Sequence, residues 1–161
     1  MTSSYNLEEF WTRGDIHSRV RKAMIEADLI DKKLDIEDLF PIDQYHARGI
    51  AATVDLGKRM PISKNQKILD IGCGLGGPAR YYAKQFECFI TGIDITSSFI
   101  ELGNEFNKLT SMSDKIDLTI GNGETLKFED NTFDGAYSQH VTMNISNRKS
   151  FFSEAYRVLK K

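Results

Sequence analysis

Apolar positions change their spacing along this chain in a regular way, and each change marks the passage from a strand to a helix or back. Lys67 to Ile71 is a short apolar run stopped by glycines, which suits a buried strand. Ala79, Tyr82, Ala83 and Phe86 then recur at helical spacing behind Pro78, a residue suited to a first helical turn. Cys88 to Ile93 is a second apolar run, ending in Asp94. Thr96 predicts an N-cap for a helix with Phe99, Leu102, Phe106 and Leu109 on one stripe. Ile116, Leu118 and Ile120 alternate with polar residues as in a half-buried strand, and the segment 121–124 breaks it. Phe133 to Ser138 reads as a fourth strand, followed by a helix with Phe151, Phe152, Ala155, Val158 and Leu159 as its apolar face. Strands alternating with helices predict an α/β fold with a mainly parallel sheet and right-handed crossovers.

The stretch before the first strand follows a different pattern, helical and charged with no strand signal. Val20, Ala23, Met24, Ala27 and Ile30 share one face. Pro41 is predicted to break the chain, and a second helix to run from Asp43 toward Gly57 with Ile50 and Val54 inward, ending before Pro61. This divides the chain into an appendage, 1–62, and a sheet domain, 63–161, joined at the polar link Ser63 to Gln66.

At 161 residues, 40% apolar and 27% charged, the chain has the composition of one globular unit with room for a core. A formal charge of −2 gives no reason to expect a nucleic-acid partner. No apolar stretch approaches the ~20 residues that span a bilayer, and the N-terminus has no basic-then-apolar signal, so no membrane partner is expected. Cys73 and Cys88 form neither a disulfide nor a metal pattern; reduced cysteines point to a cytoplasmic protein, and no metal site is expected.

The chemistry concentrates at the first strand's end. Gly72, Gly74 and Gly77 match G-x-G-x-x-G between a strand and a helix, where backbone can approach a nucleotide closely. Asp94 stands at the second strand's tip, where a ribose hydroxyl pair would lie, or else caps the next helix. Ligands of such sheets sit at the carboxyl ends of the strands, a rule that gathers Gly72, Asp94, Asn122, Gln139 and His140 on one rim. None of this separates one nucleotide-containing cofactor from another.

Leu69-Asp70-Ile71-Gly72-Cys73-Gly74-Leu75-Gly76-Gly77-Pro78 resembles motif I of class I S-adenosylmethionine-dependent methyltransferases, with Asp70 before the turn where dinucleotide dehydrogenases usually carry an apolar residue. The resemblance implies a Rossmann-like sheet and S-adenosyl-L-methionine as cofactor, with Asp70, Gly72 and Gly74 in its site. Gly92-Ile93-Asp94-Ile95-Thr96 is similar to the acidic second motif, in which Asp94 would hold the ribose hydroxyls beside Ile95. Gly121-Asn122-Gly123-Glu124, followed by Leu126-Lys127-Phe128 and Phe133-Asp134, resembles a run whose acid accepts a hydrogen bond from the adenine amine. Asn122 stands in that place, and its carbonyl can accept the same bond.

More narrowly, Asp43-Gln44-Tyr45-His46 with Gly49, and Tyr137 to Ile145, resemble the branch containing sarcosine/dimethylglycine and phosphoethanolamine N-methyltransferases. There a Gln-Tyr segment forms a lid over the cofactor, implying a helical lid here with Gln44 on the cofactor and Tyr45 orienting the acceptor or closing the pocket. Asn144 and His140 replace a histidine and an acid of that branch, so its cationic amine substrate does not carry over. His140 is the expected base, or else a structural histidine past a strand. Gln139 would serve the methionine part of the cofactor; His17 and His46 read as exposed helix residues.

The expected function is methyl transfer to a small molecule at N or O. A cofactor-binding but inactive fragment or partner subunit is the alternative, and a nicotinamide-dependent oxidoreductase a more distant one. The family's sheet has seven strands, of which this sequence supplies the first four, ordered 3-2-1-4. The C-terminal strands are therefore expected to be missing, the fourth strand's open edge to favour self-association, and activity to be low.

Overall fold

The computed structural model describes residues 16–29, 33–44 and 46–161. Four strands, β1 (Lys67–Ile71), β2 (Phe89–Asp94), β3 (Ile116–Ile120) and β4 (Gly135–Tyr137), form one sheet in the order β3-β2-β1-β4. All three pairings are parallel, with Leu69 opposite both Thr91 and Ala136. The expected Rossmann-like methyltransferase sheet, 3-2-1-4, is the one observed.

Helices α1 (Ile16–Glu26), α2 (Phe40–Asp43) and α3 (Ile50–Gly57) precede the sheet, while α4 (Gly77–Phe86), α5 (Ser97–Leu109) and α6 (Arg148–Val158) lie between or after its strands. Alternate residues of β1 feed opposite faces of the sheet. Ile68 packs with Ala79, Tyr82 and Ala83 of α4 and Ile100 of α5. Leu69 and Ile71 pack with Phe151 and Val158 of α6 on the other face. A third cluster joins Val20 and Met24 of α1, together with Leu34 and Leu39, to Leu75, Leu102 and Phe106. The N-terminal segment therefore shares a core with the glycine turn and α5.

Several local expectations need correction. Asp43 to Gly57 is not one helix: Arg48 and Gly49 take positive φ, 69° and 50°, which an α-helix does not tolerate, so α3 begins only at Ile50. Its buried positions are Thr53 and Gly57 rather than Ile50 and Val54. Pro41 occupies the first turn of α2, where a missing N–H costs nothing, so it starts a helix instead of breaking one. Ala27 lies past the end of α1 and is exposed, while Ile30 falls outside the described residues. On α6, Phe151 is buried but Phe152 is 58% exposed, because the helix turns that side away from the sheet. The fourth strand is shorter than expected: Phe133 instead bridges Leu159, and the Phe133 carbonyl accepts from the Lys160 amide at 2.9 Å.

Candidate functional site

The chain leaves β1 through Gly72, whose φ of +86° suits glycine. The amides of Gly72 and Cys73 both donate to the Ile93 carbonyl, at 2.8 and 2.9 Å, which binds the turn to the end of β2. A Cβ on Gly72 would lie 2.3 Å from a methyl of Val141, so the loop after β4 passes close over the turn. At Gly77 a Cβ would lie 2.3 Å from the Asp43 carbonyl oxygen, where the N-terminal segment crosses the start of α4.

Asp94 ties this turn to the next element. One carboxylate oxygen accepts from the Gly74 amide at 3.0 Å and the other from the Thr96 amide at 2.9 Å. Thr96 makes no side-chain cap bond, and Asp94 satisfies the amide of this N-cap residue while also holding the turn. A carboxylate has about four acceptor positions, which leaves two for ligand hydroxyls.

Asp70 is 2% exposed and accepts a 2.8 Å hydrogen bond from the Tyr137 hydroxyl. Burial lifts its carboxyl to about 7, Tyr137 opposes that lift and the neighbouring Asp94 charge adds to it. Both thiols are buried, which raises them: Cys88 to about 11, and Cys73 far above its usual range.

A cavity of about 510 Å³, within the range of small-molecule sites, opens between this rim and the N-terminal helices. Asp70, Gly72, Gly74, Asp94, Ile95, Gly123, Gln139 and His140 all line it, so most of the expected site residues converge. Ile16, Val20, Ile42 and Phe99 add apolar wall on the far side.

Two expected residues do not face the cavity. Asn122 is exposed and its carbonyl accepts from the Glu124 amide at 2.8 Å, closing its own turn, although Gly121 and Gly123 beside it line the wall. Gln44 sits behind the wall, 7% exposed, accepting from the Thr53 hydroxyl at 2.6 Å. Tyr45 lies outside the described residues.

His46 is not an exposed helix residue. It lines the cavity in the turn before α3, with Nδ1 3.4 Å from the Ala47 carbonyl and Nε2 3.1 Å from the Gln139 amide nitrogen. Its ring stacks on His140 at 5.0 Å and 3°. Burial lowers its pKa, and the His140 charge lowers it further, against the Ala47 bond. A neutral ring donating from Nδ1 leaves Nε2 free to accept from Gln139. His140 itself is exposed, at φ +58°. His17 sits half-exposed on α1, 3.5 Å from Glu101.

Beneath the turn lies a group that sequence reasoning missed. Arg80 is fully buried, donates to one Asp43 carboxylate oxygen from Nε and Nη2 at 3.2 and 3.1 Å, and reaches Asn107 and Gly103 from Nη1 at 2.7 and 3.2 Å. Its Nη2 also donates to the Leu75 carbonyl within the turn. Burial raises the Asp43 carboxyl while the Arg80 charge pulls it down. The signal for this group was faint: a charge beside Ala79 and an amide beside Phe106, each within an otherwise apolar helix face.

A parallel sheet with a glycine turn, an acid at the second strand's tip and a cavity over both defines a nucleotide-binding α/β domain. Comparison with known proteins narrows this. A family model described as methyltransferase domain matches residues 69–161, and the chain belongs to that family. The sterol 24-C-methyltransferase of Debaryomyces hansenii is 34% identical over 105 residues, which cover 65% of this chain and 28% of that protein. A candidate sarcosine dimethylglycine methyltransferase from Galdieria sulphuraria superposes with a TM-score of 0.62 at 27% identity, covering 69% of this chain and 40% of that one. The [4+2]-cyclase SpnF does so with a TM-score of 0.66 at 26% identity, over 68% and 40%. The chain thus spans under a third of the length of that curated relative.

The residues present fit S-adenosylmethionine, the cofactor that the motif resemblance implies: a turn of small residues that admits close approach, an acid with acceptor positions to spare, and apolar wall for a base. Among the described residues no group of three His, Cys, Asp or Glu side chains could hold a metal, and no helix is long and apolar enough to cross a membrane.

Proposed function

We propose that this protein transfers the methyl group of S-adenosylmethionine to a nitrogen or oxygen of a small molecule. The observation that carries this is one cavity walled by both the Asp94-braced glycine turn and the His46–Gln139–His140 cluster. The bound cofactor supplies an electrophilic methyl on a sulfonium. Asp94 would hold the ribose and Gly72 to Gly74 the backbone approach, with Asp70 behind them. Asn122 would reach the adenine by leaving its own turn. Gln139, on the cavity wall, would meet the methionine part. Gln44 supports the wall through Thr53, and Tyr45 would orient the acceptor.

Methyl transfer needs alignment and exclusion of water more than acid–base power. The segment Pro41 to Gly57 acts as the lid, since His46 closes on the β4 tip from that side. Where the acceptor must lose a proton, His140 takes it at the ring, with His46 stacked beneath. A carbon acceptor is the second reading, favoured by the name of the Debaryomyces hansenii relative and by the apolar far wall.

Labelled S-adenosylmethionine offered with amines, alcohols and an unsaturated sterol tests both readings. Label on an amine or alcohol is the expected result, and label on the sterol alone would move the reaction to carbon. Binding of S-adenosylhomocysteine without turnover would favour the inactive alternative; no binding at all would overturn the proposal. The neighbour named as a cyclase is the reason for measuring methyl transfer directly.

A further inference from the structure

The fully buried Arg80 touches three parts of the molecule, two of them distant in sequence. Its guanidinium reaches Asp43 at the end of α2, Leu75 in the glycine turn, and Gly103 and Asn107 on α5. A planar fork can satisfy such a set from one side chain, whereas an ammonium cannot. Two features set this group apart from a plain buried ion pair. Both contacts to Asp43 fall on a single carboxylate oxygen, leaving Oδ1 buried without a partner, and Asn107 Nδ2 is likewise buried and unpartnered. The pair also sits at a crossing: the Asp43 backbone lies over the first residue of α4, and Asp43 and Leu75 both line the cavity.

The glycine turn and the N-terminal segment are therefore connected through one side chain as well as through apolar packing. We infer that Arg80 is a positioning residue that couples occupancy of the glycine turn to closure of the segment 40–57 over the cavity. A ligand that fixes the Leu75 carbonyl fixes the guanidinium, which in turn fixes Asp43 and the chain leading to His46. Coupling of this kind requires a physical connection with two arrangements, and the spare acceptor on Asp43 supplies a second position for the fork. The inference rests on the reading of the turn as the cofactor site.

Hydrogen exchange on the full chain, with and without S-adenosylhomocysteine, is the test. In the wild type the ligand slows exchange at both 72–77 and 40–57. Arg80→Lys keeps the charge and loses the fork. It is expected to retain ligand protection at 72–77, lose it at 40–57, and bind S-adenosylhomocysteine about 10-fold more weakly, the scale of one charge-assisted hydrogen bond. Should the lysine variant fail to fold, Asp43→Asn gives the same readout with the three carbonyl partners of Arg80 kept. Ligand protection of 40–57 unchanged in a folded variant would overturn the coupling. Wild-type protein that binds no S-adenosylhomocysteine would instead overturn the cofactor reading beneath it.

Discussion

Replacing Asp70 by asparagine should change how stability depends on pH, and the direction follows from its surroundings. The carboxyl is 2% exposed in the middle of the sheet and titrates near 7, against about 3.9 in an unfolded chain. A folded-state value above the unfolded one means that the native protein holds the proton more tightly. The stability this contributes is therefore fully present below about pH 4 and lost as pH rises through 7. A shift of about three units at about 1.4 kcal/mol each sets a ceiling of about 4 kcal/mol, of which about 2.5 falls between pH 5 and 7.5. Asparagine has nearly the same shape, and its carbonyl can still accept from the Tyr137 hydroxyl, so the hydrogen bond survives while the titration disappears. Asp43 and the surface carboxylates titrate in both proteins and cancel in the difference. Urea unfolding followed by circular dichroism at pH 5, 6, 7 and 8 measures that difference. The asparagine variant should gain on the wild type from pH 5 to 7 and level off by pH 8. Parallel pH profiles would refute the reasoning, and would mean that Asp70 is either ionised throughout or solvated.

Asp94→Ala removes the acceptor shared by Gly74 and Thr96 and should weaken S-adenosylhomocysteine binding by ~1.5–3 kcal/mol; unchanged calorimetric affinity in a folded variant would remove the cofactor role. Gly72→Ala places a Cβ 2.3 Å from Val141 at a φ of +86°, and should cost ~1–3 kcal/mol from backbone strain alone. Adding Val141→Ala should relieve the clash but not the strain, so a melting temperature fully restored in the double variant would contradict this account. The His46 ring should titrate below 6.5 in a proton NMR titration, because burial and the His140 charge both disfavour its cation; a midpoint above 6.5 would mean that the stacked arrangement does not persist in solution. Phe152 and Tyr156 are 58% and 71% exposed on α6, and β4 forms the sheet edge, so sedimentation should detect concentration-dependent association that Phe152→Ser with Tyr156→Ser reduces. A monomer at every concentration would count against that surface.

The parallel sheet, its strand order by way of the family resemblance, and the glycine turn were legible in the sequence. Each is written locally: apolar runs of strand length, breakers at their ends, and an acid at each of two strand tips. Asp94 was found because its position relative to β2 is a one-dimensional fact. Its hold on Gly74 and Thr96 was not, since that depends on how β1 and β2 lie side by side. The helix faces were read only in part. A stripe on one helix does not say which of several neighbours it meets, so Phe152 was placed inward and Ile50 was preferred to Thr53. The N-terminal segment was the least legible, because two successive positive φ values at Arg48 and Gly49 redirect the chain, and His46 before them meets Gln139 past the β4 tip, 93 residues away in sequence. Arg80 belongs to the tertiary structure altogether. A charged residue is buried only where partners from several elements converge on it, and nothing within its own helix announces that Asp43, Leu75, Gly103 and Asn107 will do so.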